Sequence, residues 1–143
     1  MSDHDAASAP TGIRVALATD AERYLATDDL VWFGEPNTEP AGVALEGLPP
    51  DQRFAAEVDG ADPVSYAGVY GVRPLELSVP GSHGDARPVP VAGLTYVGVH
   101  PDHRRQGVLR AMMRHHLEQT RAEGVAVSTL HASETEIYGR YGY

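Results

Sequence analysis

The stretch VPVAGLTYVGVHPDHRRQGVLRAMM, residues 89–113, contains the pattern that decides the fold. Residues 89–99 are apolar enough to form a long strand. Pro101 ends that strand, because proline has no N–H for a ladder hydrogen bond. From Leu109 onward, apolar side chains recur every three or four positions, which is typical of an amphipathic helix. The sequence therefore predicts a strand that passes into a helix through the short segment HPDHRRQG.

The predicted helix continues to about Glu123, and Gly124 is placed as its C-terminal cap. Leu109, Met113 and Leu117 are spaced by four along it, and Met112, His116 and Thr120 flank them on one face. A strand over residues 125–131 and a short helix from Ser133 to about Tyr138 follow. Residues 89–131 thus form one predicted β-α-β unit.

The residues before this unit predict one helix and several strands. Residues 13–19 form the first predicted strand, and the Thr-x-x-Glu spacing of Thr19 and Glu22 predicts a helix from Asp20 toward Gly34. A Pro- and Gly-rich segment comes next and predicts a loop with room for a short helix. Three strands are then predicted over 53–60, 63–71 and 74–81, with a loop over 81–88, a hairpin-type turn around residues 59–62, and Leu75, Leu77 and Val79 facing inward. This order predicts an α/β fold with a mixed central sheet flanked by helices.

Composition narrows the function classes. The 143 residues suit one domain, and the absence of cysteine excludes disulfides and a thiol nucleophile. A formal net charge of −9 argues against nucleic-acid binding and is compatible with cationic partners. The sequence has no apolar run long enough to cross a membrane. Residues 1–12 resemble a disordered acidic tail rather than a secretory signal, so a cytoplasmic location is expected.

The segment from Arg104 to Gly107 predicts an anion site. In the first turn of a helix, backbone N–H groups lack internal partners and the helix dipole is positive. Two guanidinium groups add charge, and a glycine lets an anion approach the backbone. Phosphate or pyrophosphate would suit such a site. The alternative is a helix start with two solvated arginines, and the residues alone leave both open.

Two blocks of the sequence resemble a known family. Arg104-x-x-Gly107, preceded by Val97-x-Val99-x-Pro101, is similar to the acetyl-CoA motif of the GCN5-related N-acetyltransferases (GNAT). Leu109 departs from the glycine or alanine of that motif. The block HASETEIYGRYGY, residues 131–143, resembles the Eis (enhanced intracellular survival) type, in which leucine is usual at that position.

This resemblance implies acetyl-CoA as co-substrate and no metal. It implies that Val97 and Val99 offer main-chain hydrogen bonds to the pantetheine arm. The N–H near Tyr96 or Val97 would polarise the thioester carbonyl. Arg104, Arg105 and Gly107 would hold the pyrophosphate, and Ser133 would lie close to the cofactor, cap the last helix, or both.

The resemblance also implies a direct transfer of acetyl to a primary amine, with Tyr138 as the general acid that protonates the departing thiolate. Tyr141 and Tyr143 are interpreted as packing residues, and His131 as structural rather than a substitute base. The family's general base, a distant C-terminal carboxylate, is absent from this sequence.

The acceptor is predicted to meet Asp28, Trp32 and Glu35 at the end of the first helix, because acidic and aromatic groups attract a cationic amine. A solvated helix end is the alternative. Acceptors implied by the family are aminoglycoside-like polyamines and lysine side chains.

The expected organisation is an acetyl-CoA-binding GNAT domain over residues 13–143, the N-terminal part of a larger Eis-like protein. The resemblance implies further strands, two more domains and assembly as a hexamer, so the chain is expected to be a fragment or a truncated product. The competing interpretation is a non-catalytic acyl-CoA-binding or assembly module. A nucleotide site of the Walker type would need a lysine, and the sequence contains none.

Overall fold

The computed structural model describes residues 12–60 and 64–143. Of the predicted tail, residues 1–12, only Gly12 lies inside these ranges, and the predicted turn around residues 59–62 lies partly outside them. No helix within the two described ranges is long and apolar enough to cross a membrane.

Five strands form one sheet whose order follows the chain. They are β1 (Ile13–Leu17), β2 (Arg53–Val58), β3 (Gly68–Pro80), β4 (Ala86–Val99) and β5 (Val127–Leu130). The first four are antiparallel neighbours, whereas β5 pairs parallel to β4. The mixed sheet and the β-α-β unit predicted from the sequence are therefore confirmed.

The helices cover both faces of this sheet. They are α1 (Ala21–Trp32), α2 (Ala41–Ala44), α3 (Val108–Ala122) and α4 (Thr135–Tyr138), with short 3₁₀ turns at Pro50–Gln52, Pro101–His103 and Gly139–Tyr141. On one face, Met112 and Met113 of α3 pack against Phe54 and Tyr70. On the other face, Tyr24 of α1 and residues around α2 form a second buried cluster. The molecule is thus a layered α/β domain.

The segment from 68 to 80 differs from the prediction of two strands. It is one strand, paired with β4 as far as Pro80↔Ala86, so the predicted loop over 81–88 shrinks to residues 81–85. Leu75 and Leu77, predicted to face inward, are 47% and 52% exposed. The prediction was wrong because only the first five residues of β3, Gly68 to Val72, lie under the helix layers.

The ends of the helices also differ from the prediction. Asp20, not Thr19, caps α1, since its side chain accepts the N–H of Arg23 at 2.9 Å. Helix α3 begins at Val108, so the segment from Arg104 to Gly107 precedes the helix instead of forming its first turn. Within α3 the buried stripe is centred on Met112 and His116, while Leu117 is partly exposed. Gly124 follows the helix with φ 74°, as predicted for a C-terminal cap.

Candidate active site

The sheet opens between its two parallel strands. Pairing of β4 with β5 runs from Val91↔Val127 to Leu94↔Leu130 and stops there, although β4 continues to Val99. Among the described residues, the backbone of 95–99 therefore has no strand partner on the side of β5. A row of unpaired N–H and C=O groups can accept an extended ligand as an additional strand.

A bulge in β4 begins where this free edge begins. Thr95 pairs with Gly71 and Gly98 pairs with Val69, so β4 places two residues, Tyr96 and Val97, opposite one residue of β3. Tyr96 has φ 54°, a left-handed conformation that is uncommon for a residue with a side chain. Bulges bend a strand and redirect its backbone groups, and they often occur beside active sites.

The loop from Arg104 to Gly107, here called the anion loop, connects the 3₁₀ turn to α3. Arg105 and Gly107 both have positive φ, 61° and 90°. Gly107 is the N-cap of α3 without a side chain, so the approach to the first N–H groups of the helix stays open. The side-chain amide of Gln106 donates to the carbonyl of Asp102 at 2.9 Å, which braces the loop.

The free edge and the anion loop border one cleft of about 690 Å³. Its wall contains every cofactor-binding residue predicted from the sequence, together with the predicted acid and one predicted acceptor residue: Tyr96, Val97, Val99, Arg104, Arg105, Gly107, Ser133, Tyr138 and Trp32. Asp28 and Glu35 are not part of this wall. The cleft is basic, because Arg110 and Arg140 also line it and, among the described residues, Glu134 is the one acidic residue in the wall.

Tyr138 is half-buried at the end of α4, and its ring packs against the core beneath the sheet. Burial, with smaller effects of Glu134 and Tyr143, raises the pKa of the phenol above its usual value. A phenol is protonated at neutral pH with or without this shift, so Tyr138 has a proton to give, although the shift makes it a weaker acid than a free tyrosine.

Asp28 lies inside α1 rather than in the cleft. One carboxyl oxygen, Oδ1, is buried without a hydrogen-bond partner. Burial raises the pKa of this carboxyl to about 6, a hydrogen bond with the side chain of Trp32 opposes the shift, and the charge of Asp29 adds to it. Asp28 therefore contacts a cleft residue without itself facing the cleft.

Two further residues stand out. Phe33, which the sequence places beside Trp32 at the end of the first helix, closes α1 in a left-handed conformation, is 80% exposed, and lies with its ring centroid 5.9 Å from the guanidinium carbon of Arg104. His103 lines the cleft, and its Nδ1 is buried without a hydrogen-bond partner. The Phe33–Arg104 contact and the orphaned ring nitrogen of His103 leave no mark in the sequence, so neither could have been found there.

Within the described ranges, His, Asp and Glu side chains form no cluster of three or more that could hold a metal ion. The charged groups of the cleft are instead arranged around the free strand edge and the anion loop. This arrangement favours an extended ligand that carries phosphates at one end.

Comparison with known proteins agrees with this geometry. A family model described as an acetyltransferase (GNAT) domain matches residues 13–143. The chain is 45% identical over 104 residues to the N-acetyltransferase Eis of Mycobacterium tuberculosis. The aligned region covers 72% of this chain and 25% of that protein. The chain therefore belongs to the GNAT acetyltransferase family, and it spans about a quarter of the length of this relative.

Solved structures show the same fold. Eis1 from Mycobacterium abscessus superimposes with a TM-score of 0.74 at 28% identity, over 92% of this chain and 31% of that chain. A GNAT family acetyltransferase from Brucella melitensis, solved in complex with acetyl-CoA, gives a TM-score of 0.61 at 20% identity, over 91% and 81% of the two chains.

Proposed function

We propose that this chain is the acetyl-CoA-binding and catalytic domain of an N-acetyltransferase, which moves an acetyl group directly to a primary amine. The observation that carries the proposal is the convergence of the free β4 edge, the anion loop and Tyr138 on one cleft. Acetyl-CoA would supply an activated thioester. The chain's residues would bind the cofactor, orient the thioester for attack and protonate the departing thiolate.

The cleft fits acetyl-CoA at both ends. Its free strand edge suits the pantetheine arm, which carries amide groups that can pair with a backbone. Val97 and Val99 are the residues proposed to pair with it. Arg104 and Arg105 supply guanidinium groups, and Gly107 leaves the start of α3 open, so the pyrophosphate would lie against the anion loop. Ser133 also lines the cleft.

The bulge at Tyr96 and Val97 supports a role in activating the thioester. A backbone N–H directed at the carbonyl oxygen stabilises the negative charge that develops there as the amine attacks. The amine must arrive neutral, and alignment of the two reactants supplies a large part of the rate. The proposal assigns no general base to the described residues.

Tyr138 is proposed as the general acid. As the C–N bond forms, the C–S bond breaks and the electron pair stays on sulfur. The Tyr138 phenol gives its proton to that sulfur, and the proton lost by the amine finally restores the phenol. The atoms balance as acetyl-CoA plus amine giving amide plus CoA thiol.

The acceptor is proposed to be a molecule with several amines, such as an aminoglycoside-like polyamine, or a lysine side chain. Residues 1–62 hold 13 acidic and three basic residues, which favours a cation on that side of the chain. Trp32, in the cleft wall and 52% exposed, offers a ring face for cation–π contact. Assembly as a hexamer stays a prediction.

A panel of amines tests the proposal. The protein is incubated with acetyl-CoA and each of several polyamines, aminoglycosides and lysine peptides, and free CoA thiol is measured against time. Amine-dependent release of CoA is the expected result. Binding of acetyl-CoA by calorimetry with no release for any amine would overturn the catalytic proposal and favour a non-catalytic acyl-CoA-binding module.

A further inference from the structure

Local structure does little to fix Tyr138. Helix α4 has only four residues, and its N-cap, Glu134, makes no side-chain capping bond. The N–H of Ile137 reaches the carbonyl of Glu134 at 3.4 Å, near the limit for a hydrogen bond. A general acid must nevertheless be held within a few tenths of an ångström of its productive position. Contacts from elsewhere in the fold must therefore hold the ring.

The ring of Tyr143 supplies such a contact. Its centroid lies 6.1 Å from that of Tyr138 at an interplanar angle of 74°, an edge-on arrangement that aromatic pairs prefer. The sequence reasoning assigned Tyr143 to packing, and this contact agrees with that interpretation as far as the ring is concerned. The hydroxyl group of Tyr143 has further partners.

That hydroxyl lies in a polar network that reaches from the exposed Tyr143 to the buried ring of His116. It is 2.5 Å from the hydroxyl of Ser128 on β5 and 3.1 Å from Nε2 of His116 on α3. His116 Nε2 is also 2.8 Å from the Ser128 hydroxyl, and Ser128 donates to the carbonyl of Ala92 on β4 at 3.2 Å. Three elements of the β-α-β unit thus meet at one phenol.

The donors and acceptors of this network can all be matched. Ser128 gives its proton to Ala92, so its oxygen accepts from the Tyr143 hydroxyl, and Nε2–H of His116 is shared between the Ser128 oxygen at 2.8 Å and the Tyr143 oxygen at 3.1 Å. Nδ1 of His116 then accepts from the Thr120 hydroxyl, which is 3.4 Å away. Burial lowers the pKa of His116 to about 4, so the ring is neutral at pH 7 and has one donor and one acceptor nitrogen, as the assignment needs. A polar network whose members are all satisfied holds its side chains in place.

We propose that Tyr143 is a positioning residue for the acetyl transfer: Ser128 and His116 fix its hydroxyl, and its ring holds Tyr138 in place from the edge. In the assignment above the Tyr143 proton is engaged with Ser128, so Tyr143 holds the acid and does not pass it a proton. This inference rests on the proposed function, in which Tyr138 is the acid.

A double-mutant cycle tests it. Tyr143→Phe keeps the ring but removes the anchored hydroxyl, so kcat should fall about tenfold while the KM values for acetyl-CoA and amine, and the calorimetric Kd for acetyl-CoA, stay within about twofold. Ser128→Ala should act in the same direction. Thr129→Ala, on the exposed side of the same strand, is the matched control and should keep the wild-type kcat.

The decisive variant combines Tyr143→Phe with Tyr138→Phe. If Tyr143 acts through Tyr138, the double variant should be no slower than Tyr138→Phe alone, because the group being positioned is already gone. An additional tenfold loss, or an equal loss of acetyl-CoA affinity in Tyr143→Phe, would show a merely structural role and overturn the proposal.

A measurement that needs no turnover separates this inference from the proposed function. With ring-labelled tyrosine, the Tyr138 resonance should be a single sharp signal in the wild type and should shift or broaden in Tyr143→Phe. If the wild type acetylated no amine, the proposed function would fail, and an unchanged Tyr138 resonance would separately refute the positioning.

Discussion

The cleft has a proposed cofactor side and a proposed acceptor side, and different parts of the fold place the residues of each. On the cofactor side, the residues from Tyr96 to Gly107 lie within one continuous stretch, and all those predicted from the sequence line the wall. On the acceptor side, Trp32 lines the wall while Asp28 and Glu35 do not. The cofactor side is built from backbone conformations that neighbouring residues determine, whereas the acceptor side depends on how α1 packs over the sheet. A local motif therefore predicts the first side well and the second side poorly.

The largest expected effect concerns Tyr138, the proposed acid, which lines the same cleft as both sides. Tyr138→Phe keeps the ring and its packing but removes the proton donor, so kcat should fall by ~10²–10⁴. The acetyl-CoA Kd should stay unchanged, because the hydroxyl acts when charge develops on sulfur. Steady-state kinetics and calorimetry measure the two quantities.

Tyr141→Phe is the matched control for this change, since it removes a hydroxyl from the adjacent turn that borders the same cleft. Its kcat should stay within about twofold of wild type. Full turnover in Tyr138→Phe would remove the acid assignment, and a loss in Tyr141→Phe instead would move that assignment to the neighbouring turn.

The next effect tests the cofactor side. Arg104→Ala combined with Arg105→Ala should weaken acetyl-CoA binding about 100-fold, because hydrogen bonds to charged groups contribute ~1.5–3 kcal/mol each. Both side chains are exposed, so the fold should be unchanged. Calorimetry measures the affinity, and circular dichroism checks the fold.

Arg114→Ala provides the control for charge, because this exposed arginine of α3 lies outside the cleft wall. It should bind acetyl-CoA like the wild type. Equal affinity of the double variant and the wild type would show that the anion loop does not hold the pyrophosphate. The local motif would then have predicted the cofactor side no better than the acceptor side.

A smaller effect tests the acceptor side. Trp32→Ala should raise the KM for the amine about tenfold, because it removes a ring face from the cleft wall and a cation–π contact of up to ~2 kcal/mol. Glu35→Gln, on an exposed residue outside that wall, should change this KM less than twofold. If Glu35→Gln had the larger effect, the acceptor would bind on the outer surface of the α1 end instead of in the cleft.

The smallest effect concerns Asp28, whose folded pKa of about 6 lies above the ordinary value of 3.8. The folded state therefore disfavours the ionised form above pH 6, and below pH 3.8 the carboxyl is protonated in both states. Asp28→Asn should accordingly be more stable than wild type at pH 7.5, by about 1 kcal/mol after allowance for partial exposure, with no difference near pH 3.5.

Urea unfolding at the two pH values measures that difference. A variant that is less stable at pH 7.5 would show that the Asp28 charge has a favourable partner in the fold. The expected result would identify Asp28 as a half-buried residue of α1 whose charge is poorly solvated in the folded state.

How much could be predicted differs from element to element. The β4–α3–β5 unit was predicted nearly to its ends, because a long apolar strand, a proline stop and a helical stripe are local patterns. The division of β3 into two strands was wrong, because a sequence pattern does not reveal that Leu75 and Leu77 lie beyond the reach of the helices. The anion loop was expected inside α3 but precedes it, since the left-handed Arg105 delays the helix until Val108.

The sequence by itself determined the α/β class with a mixed sheet, the β4–α3–β5 unit, the family and the identity of the anion loop, because each rests on residues that are neighbours along the chain. Only the tertiary structure decided which side chains share the cleft, because Trp32, Tyr96, Arg104 and Tyr138 come from four separate elements. It alone showed that Asp28 lies outside the cleft wall, that Phe33 meets Arg104, and that Tyr143 joins Ser128 and His116 beside Tyr138. These relations depend on distances between residues far apart in the sequence, and packing of the helices against a twisted, bulged sheet sets those distances.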